Sequence, residues 1–151
     1  MLLSGIQVRF DSETATALVE ASGGIPFLLH HLANVLRVQD LCHDGVCTPL
    51  SVAAAWGAFV NDRDQSKAAT HLLTRIGLYY GERASRAERV LDIAARSPAP
   101  VSVQALRGDL RGDLQLLDDL VDDHYLSETA DGLTWRYPVL RRIWVARRRL
   151  A

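Results

Sequence analysis

Residues 113–137 read DLQLLDDLVDDHYLSETADGLTWRY, and the fold of the second half of the chain turns on them. Leu114, Leu117, Leu120 and Val121 recur at helical spacing within Asp113–His124, which gives that segment one apolar face. Tyr125–Glu128 and Leu133–Tyr137 then flank Ala130-Asp131-Gly132. An Asp-Gly pair between two β-prone runs is a hairpin signal. Upstream, Ser85-Arg86-Ala87-Glu88 fits a capping box and predicts a helix with Val90, Leu91 and Ala94 inside, closed by Ser97-Pro98-Ala99-Pro100. Ser102 caps a short helix carrying Ala105 and Leu106, and Gly108 to Gly112 reads as a turn. Downstream, Pro138 ends the second strand and opens a basic helix running to Leu150. Three helices with a short middle one, followed by a hairpin, is the order of a winged helix-turn-helix with the hairpin as wing.

The first half has a different rhythm. Ile6, Val8 and Phe10 alternate with Gln7 and Arg9, which predicts a short extended lead-in. Asp11 or Ser12 caps a helix with Ala15, Leu18 and Val19 apolar, and Gly23-Gly24 stops it. Pro26 opens a largely buried helix to Arg37, with Phe27, Leu28, Leu32 and Leu36 apolar. Thr48-Pro49 opens a third helix with the stripe Val52, Ala55, Trp56, Phe59 and Val60, and Asn61-Asp62-Arg63-Asp64 breaks it. A fourth, about Gln65–Tyr80, carries Ala69, Leu72, Leu73, Ile76 and Tyr80 and ends at Gly81. The expected fold class is mainly α: a four-helix bundle over 1–81, then a winged helix with a small β-hairpin over 82–151.

Composition agrees with a folded chain. The 151 residues are 48% hydrophobic and 23% charged with net charge −1, which excludes disorder and gives no global bias toward nucleic acid or anionic membrane. The longest uncharged stretches, Ala21–Leu36 and Gly45–Asn61, fall short of the ~20 apolar residues of a bilayer span. The start lacks the basic region of a signal peptide, so cytoplasmic residence is expected. Cys42 and Cys47 are read as reduced loop cysteines, with a small disulfide or half a zinc site as the alternatives. No complete metal-ligand spacing occurs, so no metal is expected.

Ala21-Ser22-Gly23-Gly24-Ile25-Pro26-Phe27-Leu28-Leu29 resembles the Gly-x-Pro segment in the helical lid of STAND and AAA+ P-loop ATPases, including the archaeal ATPases and NB-ARC proteins. The downstream order is similar to the same group: a helix through Tyr79-Tyr80-Gly81, then a winged helix ending in Tyr137-Pro138-Val139-Leu140-Arg141-Arg142-Ile143-Trp144. The similarity covers about Ile6–Arg37 and Gln65–Arg149. It implies a lid-like first domain in which Gly24 and Pro26 sense nucleotide, with ATP or ADP bound by the parent protein. The partner it implies is a P-loop ATPase domain, in cis or in trans. The chain departs from the group in having no G-x-x-x-x-G-K-[ST] and no strand ending in paired acids. It is therefore expected to be non-catalytic and to hold no cofactor of its own.

Charge pattern separates the uses open to the winged helix. Asp113, Asp118, Asp119, Asp122, Asp123, Glu128 and Asp131 fall in a segment without Lys or Arg, and Gln115, Asp118, Asp119 and Asp122 are expected on the outward helix face. That sign opposes insertion between phosphate rows and favours contact with protein surfaces. Arg107 and Arg111 precede this helix, while Arg141, Arg142, Arg147 and Arg148 lie on the last one. These six are the expected contacts for an acidic partner or for nucleic acid. A winged-helix DNA-binding transcriptional regulator is the alternative reading, and an all-helical scaffold is a third.

Overall fold

In the computed structural model, which describes residues 9–61 and 67–150, most helices of the first half begin where a capping side chain or a proline permits. Asp11 caps α1 (Ser12–Ser22), its carboxylate accepting from the Thr14 N–H at 2.8 Å. That bond holds the Asp11 carboxyl below the usual carboxylate range. Gly23, left-handed at φ 61°, closes α1, and Pro26 sits in the first turn of α2 (Pro26–Val38). At the head of α3 (Pro49–Asn61), Thr48 and Ser51 exchange bonds: the Thr48 N–H donates to Ser51 Oγ at 3.1 Å, and the Ser51 N–H to Thr48 Oγ1 at 3.3 Å. This reciprocal pairing satisfies donors that a helix start leaves open.

The chain packs as two compact units, Met1–Ala69 and Thr70–Ala151. In the first, α1, α2 and α3 pack on one another around Leu18, Leu28, Leu32, Leu36 and Phe59, all nearly inaccessible to water. Burying a side chain such as Phe59 contributes about 1.5–3 kcal/mol. Most of α4 (Lys67–Tyr80) belongs to the second unit, so three mutually packed helices stand where a four-helix bundle is expected. The division falls inside α4, upstream of the expected boundary at Gly81. Val19 and Phe27, expected inside, are 50% and 43% exposed. The lead-in survives as β1 (Arg9–Phe10), paired in parallel with β2 (Val46–Cys47). Its predicted residues Ile6, Gln7 and Val8, and the break at Asp62–Asp64, lie outside the described residues.

The cysteines correct the favoured reading. Cys42 and Cys47 are joined in a disulfide, their Cα atoms 4.3 Å apart. Asp44 and Gly45 are both left-handed, at φ 49° and 74°, and the reversal they make lets His43 bridge Val46 in antiparallel fashion. Two thiols five positions apart are thereby brought face to face. The buried Thr14 hydroxyl then donates to the Cys47 carbonyl at 3.1 Å, tying α1 to β2.

In the second unit Gly81, at φ 50°, ends α4 as expected, but a 3₁₀ turn (Gly81–Arg83) runs directly into α5 (Ala84–Arg96). The expected capping box is therefore not formed: Ser85 lies inside α5, which starts at Ala84 with no side-chain cap. Ser102 does cap α6 (Val103–Leu110), which continues through Gly108 where a turn is expected. After α7 (Gln115–Asp122), β3 (Leu126–Thr129) pairs antiparallel with β4 (Gly132–Trp135), and α8 (Pro138–Arg148) comes last. The register pairs Thr129 with Gly132, so Ala130 and Asp131 form the loop and Gly132 is the first ladder residue. Val101 extends this sheet by exchanging both backbone bonds with Leu133, at 2.8 and 2.9 Å. Leu91, Leu106, Leu116, Leu120, Leu126 and Trp144 fill the core between helices and hairpin. Leu114, expected inside, precedes the first turn of α7 and is 50% exposed, while Leu116 is buried. No helix among the described residues is long and apolar enough to cross a membrane.

Candidate functional site

Three features could carry function: the turn before α2, the arginines of α6 and α8, and the acidic helix α7. In the turn, Gly24 is left-handed at φ 71°, and an added Cβ there would meet no atom within 4 Å. Gly23, Gly24 and Pro26 are exposed, and Phe27 beside them is half-exposed. Ile25 occupies the N-cap position and offers no side-chain bond. The first N–H groups of α2 therefore lack helical partners on an open surface, where a helix start attracts negative charge. The two residues expected to sense nucleotide thus lie together, accessible, at one helix start.

The arginines divide in a way the sequence does not announce. Arg107 and Arg111 are exposed at the C-terminal end of α6, Arg111 in the left-handed capping position at φ 49°. Arg141 is turned inward: Nε donates to the Ala95 carbonyl at 2.9 Å and a terminal nitrogen to the Ser97 carbonyl at 3.3 Å. It thereby satisfies carbonyls at the end of α5 that the helix leaves open. Arg148 grips Asp92 with two bonds, 2.6 and 2.8 Å, reaches Glu88 at 3.1 Å, and lies 5.2 Å from the Trp144 ring centre. The bond to Asp92 raises its already high pKa further. Arg141 and Arg148 are therefore staples between α5 and α8 instead of outward contacts, a correction to the sequence expectation. Arg142 is exposed and Arg147 half-buried.

The acids divide likewise. Arg83 donates to Asp119 and stands 3.6 Å from Asp113, while Arg86 lies 3.5 Å from the other Asp113 oxygen. The Arg83 guanidinium holds the Asp119 carboxyl below the usual range. Tyr80 donates its hydroxyl to Asp123 at 2.6 Å. Burial first, and the Asp123 carboxylate second, push the Tyr80 pKa far above its ordinary value. Asp119 is thus held by Arg83 in a partly exposed pair and is not free on the outward face expected for it. Asp118, Asp122, Glu128 and Asp131 remain exposed.

Sequence reasoning missed Arg83, Tyr80 and Asp92 as organising residues. Their partners lie 36, 43 and 56 positions away along the chain, so no local spacing marks them. Among the described residues no three His, Cys, Asp or Glu side chains gather in a metal-binding group. No family model, curated protein or solved structure matches this chain.

Proposed function

We propose that this chain is a non-catalytic regulatory module of a STAND or AAA+ P-loop ATPase, in which the first unit is lid-like and the second is a winged helix-turn-helix that contacts protein. The P-loop domain is supplied in cis or in trans and resides, with this module, in the cytoplasm. The observation that carries the reading is the exposed Gly23-Gly24-Ile25-Pro26 turn at the uncapped start of α2. Glycine backbone allows close approach by a ligand, proline offers a flat apolar face, and free N–H groups favour an anion. Nucleotide contacting this turn in one arrangement of the ATPase and not in another shifts the balance between them.

Support for the winged helix comes from the chain order α5, Val101, α6, α7 and hairpin, with Val101 bridged to Leu133 as a third short strand. The exposed carboxylates of α7 favour protein over duplex DNA as its partner. The test is Pro26→Ala in the protein that joins this module to its P-loop domain. Weaker nucleotide binding is the expected result, and unaltered affinity overturns the lid assignment. Exposed Arg107 and Arg111 favour the second reading, a DNA-binding regulator. That reading requires duplex binding at ~50 mM salt that weakens steeply as salt rises.

A further inference from the structure

We infer that the groove between α7 and the hairpin is a docking surface for a basic, amphipathic helical segment of a partner protein. This rests on the reading of the second unit as a protein-contacting winged helix, and adds the face used and the partner's chemistry. The groove encloses about 570 Å³, inside the range of roughly 300–1,000 Å³ typical of ligand clefts. Buried Leu117 and Leu133, with Val121, form its apolar floor. Val103 and Leu114 flank it with 39% and 50% of their surface open to water. An exposed leucine beside an apolar floor gains from a partner's apolar side chain.

The rim sets the sign of that partner. Asp118, Asp122 and Glu128 line the groove, are exposed, and form no ion pair among the described residues. Among the described residues no Lys or Arg lines it. Asp113, Asp119 and Asp123, by contrast, are occupied by Arg83, Arg86 and Tyr80. Of the four carboxylates left over on α7 and the hairpin, three stand beside the apolar floor, and Asp131 alone lies away from it at the hairpin loop. Asp118 and Asp122 are one turn apart on α7, a rise of about 6 Å, so cations spaced i, i+4 on a facing helix can meet both. Exposed rim charges steer and select the partner, while the open side chains of Leu114 and Val103 add apolar contact beside the floor. Phosphate rows would meet the same rim with like charge.

The intact chain is titrated with a labelled synthetic helix of about 14 residues carrying Leu at i, i+3, i+4 and i+7 and Lys on both flanks. Its Glu-for-Lys counterpart and a random DNA duplex are titrated in parallel. The Lys peptide is expected to bind, with amide shifts concentrated on α7 and the hairpin, while the other two probes do not. Leu114→Ala should weaken binding about tenfold without changing charge, and Asp118→Lys with Asp122→Lys should transfer preference to the Glu peptide. All three positions are exposed, and circular dichroism checks that the fold is kept. The inference is overturned if the Lys peptide fails to bind, binds the double variant equally, ignores Leu114→Ala, or is replaced by the duplex. A failed titration beside a Pro26→Ala effect on nucleotide removes the docking surface alone. Peptide binding beside unaltered nucleotide affinity keeps the surface and removes its ATPase setting.

Discussion

At the scale of single residues, Arg83 gathers Asp119 and Asp113 while Tyr80 donates to Asp123. Asp119 keeps its charge in the fold below its ordinary pKa of 3.8 because Arg83 donates to the ionised form. A carboxyl depressed in this way contributes stability above its unfolded value and loses it as pH falls through the folded one. The second unit should therefore lose stability below about pH 4, and Asp119→Asn should remove part of that acid sensitivity, as read from unfolding midpoints against pH. Its solvent exposure keeps the effect modest. If the variant and parent lose stability in parallel on acidification, Arg83 is not the cause. The Tyr80 hydroxyl stays protonated well into the alkaline range and remains a donor wherever Asp123 is ionised.

At the scale of elements, two closures hold segments that local propensity alone would leave loose. The hairpin depends on Gly132, at φ 136°, where an added Cβ would lie 2.4 Å from the Val101 carbonyl oxygen. Gly132→Ala must strain the backbone and push Val101 off the sheet. It is expected to cost about 1–3 kcal/mol in denaturant unfolding and to expose the Val101 and Leu133 amides to hydrogen exchange. A neutral result would mean that Val101 is not bonded to the hairpin. The Cys42–Cys47 bond closes the turn that delivers β2 to β1 and to Thr14. For so short a loop the chain-entropy contribution is about 2 kcal/mol. Reduction, or Cys42→Ser with Cys47→Ser, should lower the stability of the first unit by that order and loosen the Thr14 contact. A disulfide is open to cleavage by thiols, so the first unit should respond to thiol reductant. An unfolding curve indifferent to reductant would contradict this.

At the scale of the whole molecule, the two units have separate cores, and a substitution in one should leave the protection of the other intact. Trp144 is fully buried, packs 5.5 Å from the Trp135 ring centre, and donates to Asp92 at 2.8 Å. Trp144→Ala should cost about 3–5 kcal/mol, abolishing slow hydrogen exchange in α5 and the hairpin while α1, α2 and α3 stay protected. Loss of protection in both units would show that they fold as one. Where most helices start and stop was legible in the residues themselves, because caps, prolines and left-handed glycines act through neighbouring backbone. Asp11, Pro26, Pro49, Gly81, Ser102 and Pro138 all behave as local chemistry requires. The hairpin was legible in the same way, since two β-prone runs around an Asp-Gly pair are a local signal, although Gly132 proves to be the first ladder residue and Ala130 and Asp131 the loop. Which charges remain outward was settled by packing alone. Arg141 and Arg148 turn inward to α5, Asp119 is held by Arg83, and Asp118, Asp122 and Glu128 are left on the groove rim. The cause is distance along the chain: an ion pair forms between residues that packing brings within a few ångströms, and spacing in sequence carries no record of a partner dozens of positions away.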